Sequence, residues 1–155
     1  MTESSNTPTP RQLFTLMQRQ WLGDTQTFTE LLAEDAVIEM PFARPGRPSR
    51  IEGREKFQAF AQPQQAAFPV RLDAVTDIVI HDTADPEVIV AEYTLLGTLT
   101  TTGHSAAAPF IAVLRARDGQ IVNWREYQNT AAIMDALSSA TGDLATQPEP
   151  TPPRT

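Results

Sequence analysis

At 155 residues, with no cysteine and a formal net charge of −7, the chain is long enough for one domain with a sizeable core and excludes disulfide and thiolate chemistry. The acidic balance and the absence of a Lys/Arg-rich run argue against nucleic acid and anionic membrane surfaces as partners. No run is apolar and long enough to span a bilayer and no hydrophobic leader opens the chain, so a soluble, cytoplasmic protein is expected.

In chain order, residues 1–9 are polar and Pro-containing and residues 141–155 are Pro-rich, so both are expected to be disordered tails around a folded domain at 10–140. Pro10 to Leu22 reads as a helix: Leu13, Phe14, Leu16, Met17 and Trp21 form an apolar stripe at spacings of 3 and 4, with Thr9 as its cap and Pro10 at the first helical position. Gly23-Asp24 ends it. Thr25 to Ala33 is expected as a second short helix carrying Phe28, Leu31 and Leu32, followed by a short strand over Ala36 to Phe42. A Pro/Gly/Arg loop then holds Arg44, Arg47 and Arg50, and Arg54 follows in a third helix, Gly53 to Ala61, with Phe57 and Phe60 inward and Pro63 as its stop. The basic loop is either a solvated face or a cluster at a pocket mouth that attracts an acidic ligand.

The remainder reads as β-structure. Strands are expected over Val70 to His81, Val88 to Leu99, Ser105 to Arg117 and Ile121 to Gln128, with a Pro-containing link at Asp82 to Glu87 and an Asp118-Gly119 hairpin turn, before a closing helix from Thr130 to Ser139. Helices followed by an antiparallel meander is the α+β pattern. Long antiparallel strands coil, and helices packed on the concave face of a coiled sheet would enclose a cavity.

Alternation on the last strand puts Trp124, Glu126 and Gln128 on one face and Arg125 and Tyr127 on the other. A carboxyl between an indole and an amide either faces solvent or sits in a pocket, where burial would raise its pKa and fit it for acid/base work. Glu126 is therefore the first catalytic candidate. His104, in a link between strands, is a second if its loop folds over the pocket mouth, and an exposed loop residue otherwise. Periodicity leaves open whether Glu92 or Tyr93 faces inward. If Tyr93 does, its hydroxyl could orient a ligand oxygen. Trp21, Met17, Met40, Phe42 and Phe60 are cavity lining or plain core. With two histidines and no carboxylate pattern beside them, no metal site is expected, and no phosphate loop or dinucleotide fingerprint is present, so no cofactor is expected.

The stretches Leu32-Ala-Glu-Asp-Ala-Val-Ile-Glu-Met-Pro41 and Arg117-Asp-Gly-Gln-Ile-Val-Asn-Trp-Arg-Glu-Tyr-Gln-Asn129 resemble the SnoaL-like group of the nuclear transport factor 2-like, ketosteroid isomerase-like superfamily over about residues 10–140. The resemblance implies a cone of N-terminal helices on a strongly curved, mainly antiparallel sheet around a cavity. It does not carry over one activity. Ketosteroid isomerases have an Asp before the proline that ends the first strand, where this chain has Met40, and the two oxyanion-hole positions align with Leu16 and Ile111. Isomerisation by that set is not expected, and Met40 and Ile111 are expected on cavity walls facing Glu126. Limonene epoxide hydrolases need an Arg-x-Asp pair that Glu92-Tyr93-Thr94-Leu95 does not supply. The motif most similar in function is that of the phenazine-biosynthesis A/B proteins, whose Arg-Glu-aromatic-x-Asn pattern matches Arg125-Glu-Tyr-Gln-Asn129 and whose Glu is an acid/base.

The expectation is a small-molecule-binding protein for an apolar or aromatic ligand, working as a cofactor-independent cyclase, isomerase, dehydratase or condensation enzyme through Glu126. Trp124, Gln128 and Tyr93 would stand beside it, and Arg54 would oppose the rise of its pKa. The alternative is a non-catalytic ligand-binding or dimerisation module of the same fold. A homodimer through the outer sheet face is expected, because Phe110, Ala112 and Leu114 alternate with Ile111 and Val113 and leave both faces of that strand apolar.

Overall fold

The computed structural model describes residues 6–23, 28–67 and 69–142. Of the tails expected at 1–9 and 141–155, residues 1–5 and 143–155 lie outside the described residues, as do Asp24–Thr27, while 141–142 belong to the last helix. Helix α1 spans Pro10–Trp21. Thr9 caps it, accepting from the Gln12 amide while the Gln12 side chain bonds back to the Thr9 N–H, a reciprocal box that satisfies two otherwise orphaned donors. Its buried stripe is Leu13, Phe14 and Met17.

After a single 3-10 turn at Phe28–Leu31 comes strand β1, Leu32–Glu39. The described part of the expected second helix is therefore this turn and the start of a strand. Leu32-Ala33-Glu34-Asp35 has good helix formers, but pairing of Val37, Ile38 and Glu39 beside Asn123, Trp124 and Arg125 draws the segment into the sheet. Tertiary pairing outweighs a local preference of a few tenths of a kcal/mol per residue. Strand β2 is Arg50–Glu52 and helix α2 is Arg54–Ala67. Pro63 lies inside α2 instead of stopping it. Its ring removes one helical hydrogen bond, and the Gln and Ala residues that follow are strong enough helix formers for the helix to continue.

Strands β3 (Val70–Asp82), β4 (Val88–Leu99), β5 (Ser105–Arg117) and β6 (Gln120–Tyr127) form the meander, and α3 (Thr130–Gly142) closes the chain. The sheet runs β2-β1-β6-β5-β4-β3. Every neighbouring pair is antiparallel except β1 with β6. Register shifts in β1–β6, β3–β4 and β5–β6 curve it. The three helices pack on the concave side, one of them C-terminal, giving the α+β cone.

The core lies between α1 and the concave face. Leu13, Phe14, Met17, Leu32, Ile38, Leu114 and Ile121 are almost wholly buried there. Phe14 stacks on Trp124 at 6.3 Å and Trp21 meets Trp124 edge-on at 5.9 Å. This aromatic wedge holds α1 against β6 and so sets the width of the space beyond it.

Gly97 on β4 marks where β3 crosses close over the cavity floor. A Cβ there would fall 2.7 Å from Val70 Cγ1 and 3.1 Å from the Arg71 carbonyl oxygen. Gly97→Ala should therefore destabilise the fold by about 1–3 kcal/mol, the usual cost of overpacking, seen as a lower urea midpoint with an unchanged slope.

Candidate active site

The candidate residues come from inward-facing positions of β4, β5 and β6. Ala112 is paired with Ala91 on one side and Glu126 on the other, and Leu114 with Trp124. Ala112 and Leu114 are fully buried, so Glu126 and Trp124 point into the cone with them. On β4 the same alternation turns Tyr93 inward, 1% exposed, and Glu92 outward. Tyr93 stacks on Phe110 at 5.8 Å, and the small Ala112 leaves room for its ring to reach across β5.

The Tyr93 hydroxyl donates to Glu126 Oε2 at 2.6 Å. Gln128 Nε2 donates to Oε1 at 3.0 Å. Each carboxyl oxygen thus has one donor and keeps a free lone pair. Some surface of Glu126 remains open to the cavity, but the carboxyl is surrounded by protein, and burial dominates its titration. Desolvation holds its pKa above the ordinary value, with Tyr93 and Gln128 pulling the other way. Burial, then the charge of Glu126, pushes the Tyr93 phenol far above its usual range, so Tyr93 acts as a fixed donor and not as an acid.

Glu126 opens onto a cavity of about 480 Å³, within the usual span of about 300–1,000 Å³ for small-molecule sites. Its walls are mainly apolar: Trp21 from α1, Val70 and Leu72 from β3, Leu95 from β4, Phe110 from β5, and Ile133 and Leu137 from α3. Three polar side chains line it, Gln20, Glu126 and Gln128, and Glu126 alone among these lining residues ionises. Among the described residues no group of three or more His, Asp or Glu could hold a metal ion.

The other candidates are distributed as follows. Trp21 and Gln128 line the cavity. Trp124 and Met17 are core beneath it, and Met40 is partly buried against that core. Ile111 does not face Glu126: it lies on the outer face, 44% exposed, because Phe110 and Ala112 on either side point inward. Phe42 is also outside, 59% exposed and edge-on to Tyr127 at 5.5 Å. Phe60 is half-buried, and Phe57 is the residue of α2 that packs on the core. Arg54 donates to the Leu32 carbonyl at 3.3 Å and is not among the causes of the Glu126 shift. His104 is exposed and does not line the Glu126 cavity; it lines an adjoining hollow with Leu99, Gly103 and Asp135 that shares Ala106, Ala107, Ala132 and Ala136 with the cavity wall. Arg50 of the basic loop is tied to Glu52 and Glu39, and Arg44 lies beside Met134, so neither lines the cavity.

Gln20 and the α3 residues are lining that sequence reasoning missed. The signal was present: Met17, Gln20 and Trp21 share one helical face, and Ala132, Ile133, Ala136 and Leu137 repeat at helical spacing.

Comparison with known proteins adds to this geometry. A family model described as a SnoaL-like domain matches residues 11–124. An uncharacterized PhzA/B-like protein of Pseudomonas aeruginosa is 36% identical over 116 residues, covering 74% of this chain and 79% of the relative. A Bacillus subtilis structure provisionally called an isomerase superposes with TM-score 0.75 at 28% identity, over 83% of this chain and 92% of that one. A Pseudomonas putida structure provisionally called a polyketide cyclase superposes with TM-score 0.67 at 23% identity, over 83% and 97%, a likeness of fold. The cone is the nuclear transport factor 2-like, ketosteroid isomerase-like fold.

The raised pKa of Glu126 has a signed consequence. Between the ordinary value of 4.5 and its folded value, the folded protein binds more protons at this carboxyl than the unfolded chain. Stability from this group is complete below that window and is lost as pH rises through it. Glu39, Asp73, Asp82 and Asp85, whose pKa values are lowered, act in the opposite sense and cancel in a difference. The unfolding free energy of Glu126→Gln minus that of the natural protein should therefore rise with pH through the window and level off above it, measured by urea denaturation across pH.

Proposed function

The chain belongs to the SnoaL-like domain family, and from this premise we propose that it binds a small apolar or aromatic molecule in the cone and moves a proton on it with Glu126. The observation that carries the proposal is one carboxyl, buried in an apolar cavity, with a donor on each oxygen. Desolvation shifts its balance toward the protonated form. The acid form can deliver a proton to a carbonyl oxygen, and the conjugate base can take one from the adjacent carbon. Tyr93 and Gln128 hold the carboxyl in place and stabilise its charged form, and the apolar walls exclude water. An isomerisation is complete with this exchange; in a cyclisation, dehydration or condensation Glu126 would supply the same proton transfers while the substrate's own atoms form the new bond or release water.

A second reading, a binding module without turnover, draws on the same cavity: Glu126 is the one ionisable group among its described lining residues, so no second acid or base shares the work. Deuterium exchange at the carbon next to the carbonyl of α-tetralone, followed by NMR in heavy water, separates the two. The natural protein should accelerate exchange and Glu126→Gln should slow it by about 100-fold or more, the usual worth of a positioned acid/base, with binding within a few-fold. Equal exchange by both proteins would remove the catalytic reading and leave the binding module.

We also propose a homodimer through the outer sheet face. Val79 and Ile111 are 47% and 44% exposed there, beside Phe42 and Tyr127. Such a patch is uncommon on a monomer, and a two-fold contact would cover it. Light scattering at micromolar concentration should give a dimer mass for the natural chain and a monomer mass for Ile111→Arg. A monomer for both would exclude this interface.

A further inference from the structure

We infer that Gln20 is a second polar anchor of the cavity, accepting a hydrogen bond from a hydroxyl or amino group of the ligand at a point other than the group that meets Glu126. The inference rests on the reading of the cavity as a small-molecule site. Gln20 lies on the last turn of α1, next to Trp21, and lines the same cavity as Glu126. Its Oε1 is buried and has no hydrogen-bond partner among the described residues. The other polar side chains of the wall are already engaged with each other, Gln128 with Glu126 and Glu126 with Tyr93. Gln20 is therefore the one lining side chain whose buried acceptor is left over.

A buried acceptor without a donor is a standing cost to the free protein, and it is uncommon enough to require a reason. A ligand donor would remove it. Oε1 is turned out of reach of solvent, but the terminal amide rotates about a broad, soft torsion, so it can swing to meet a donor without moving the helix. The surroundings make this contact selective. Val70, Leu72, Leu95 and Ile133 offer a ligand nothing polar, so a donor placed elsewhere in the cavity would lose its water without replacement. The ligand class that fits has an apolar ring body, a carbonyl or comparable group facing Glu126, and a separate neutral donor facing Gln20.

The test uses positional isomers of hydroxy-α-tetralone, which carry a ketone and one donor at varied spans, each paired with the methyl-α-tetralone that replaces hydroxyl by a group of similar size. Binding is measured by calorimetry. At least one hydroxy isomer should bind the natural protein about tenfold tighter than its methyl partner. That preference should vanish in Gln20→Met, which keeps side-chain length, and return in Gln20→Glu, which keeps an acceptor oxygen. A preference that survives in Gln20→Met, or is absent from the natural protein while the tetralones still bind, overturns the role of Gln20 and leaves the cavity reading standing. Failure of every tetralone to bind overturns both. Should circular dichroism show Gln20→Met unfolded, Gln20→Leu takes its place against the same criteria.

Discussion

The structure turns on the contest around one carboxyl. Removing Glu126 from water disfavours its charge, and the Tyr93 hydroxyl and Gln128 amide return part of what is lost. Desolvation wins, so the balance of the group is shifted toward its acid form. Almost every larger feature contributes to that balance. The aromatic wedge of Phe14, Trp21 and Trp124 seats α1 over β6. Ala112 clears a path for Tyr93. The close approach at Gly97 brings β3 in to shape the floor. Replacing any of these with a bulkier or more polar group would let water or a wall into the space that sets the pKa.

How much of this the amino-acid order discloses depends on how strongly local signals agree with tertiary ones. Strands β4 and β5 occur where alternation and the Asp-Pro and Asp118-Gly119 turns place them, Val88–Leu99 and Ser105–Arg117. There, turn chemistry and period coincide. The segment Leu31 to Ala33 misleads because its residues favour a helix while its pairing partner, β6, lies far along the chain. Pro63 misleads in the other direction, a strong local stop that the helix passes through.

Parity decides the site in the same way. On β6 the tryptophan, carboxyl and amide on one face could be assigned inward from their chemistry alone. On β5 both sets of alternate residues are apolar, so period cannot tell Phe110 from Ile111, and only the pairing of Ala112 with Glu126 turns Phe110 in and Ile111 out. Tyr93 and Glu92 pose the same ambiguity, resolved by the stacking of Tyr93 on Phe110. Gln20 was legible as a polar residue in an apolar helical stripe, but its unpaired oxygen is a property of packing that no single-chain pattern contains. One fold carries many chemistries, and here the particular chemistry depends on these few side-chain directions.

The measurement that bears most directly on the account is a titration of the Glu126 carboxyl carbon by NMR, assigned through Glu126→Gln. The account predicts a folded pKa clearly above the ordinary 4.5, because burial outweighs the two donors. A value at or below 4.5 would mean that the donors or admitted water outweigh burial, and would contradict the poised acid on which the proposed function rests.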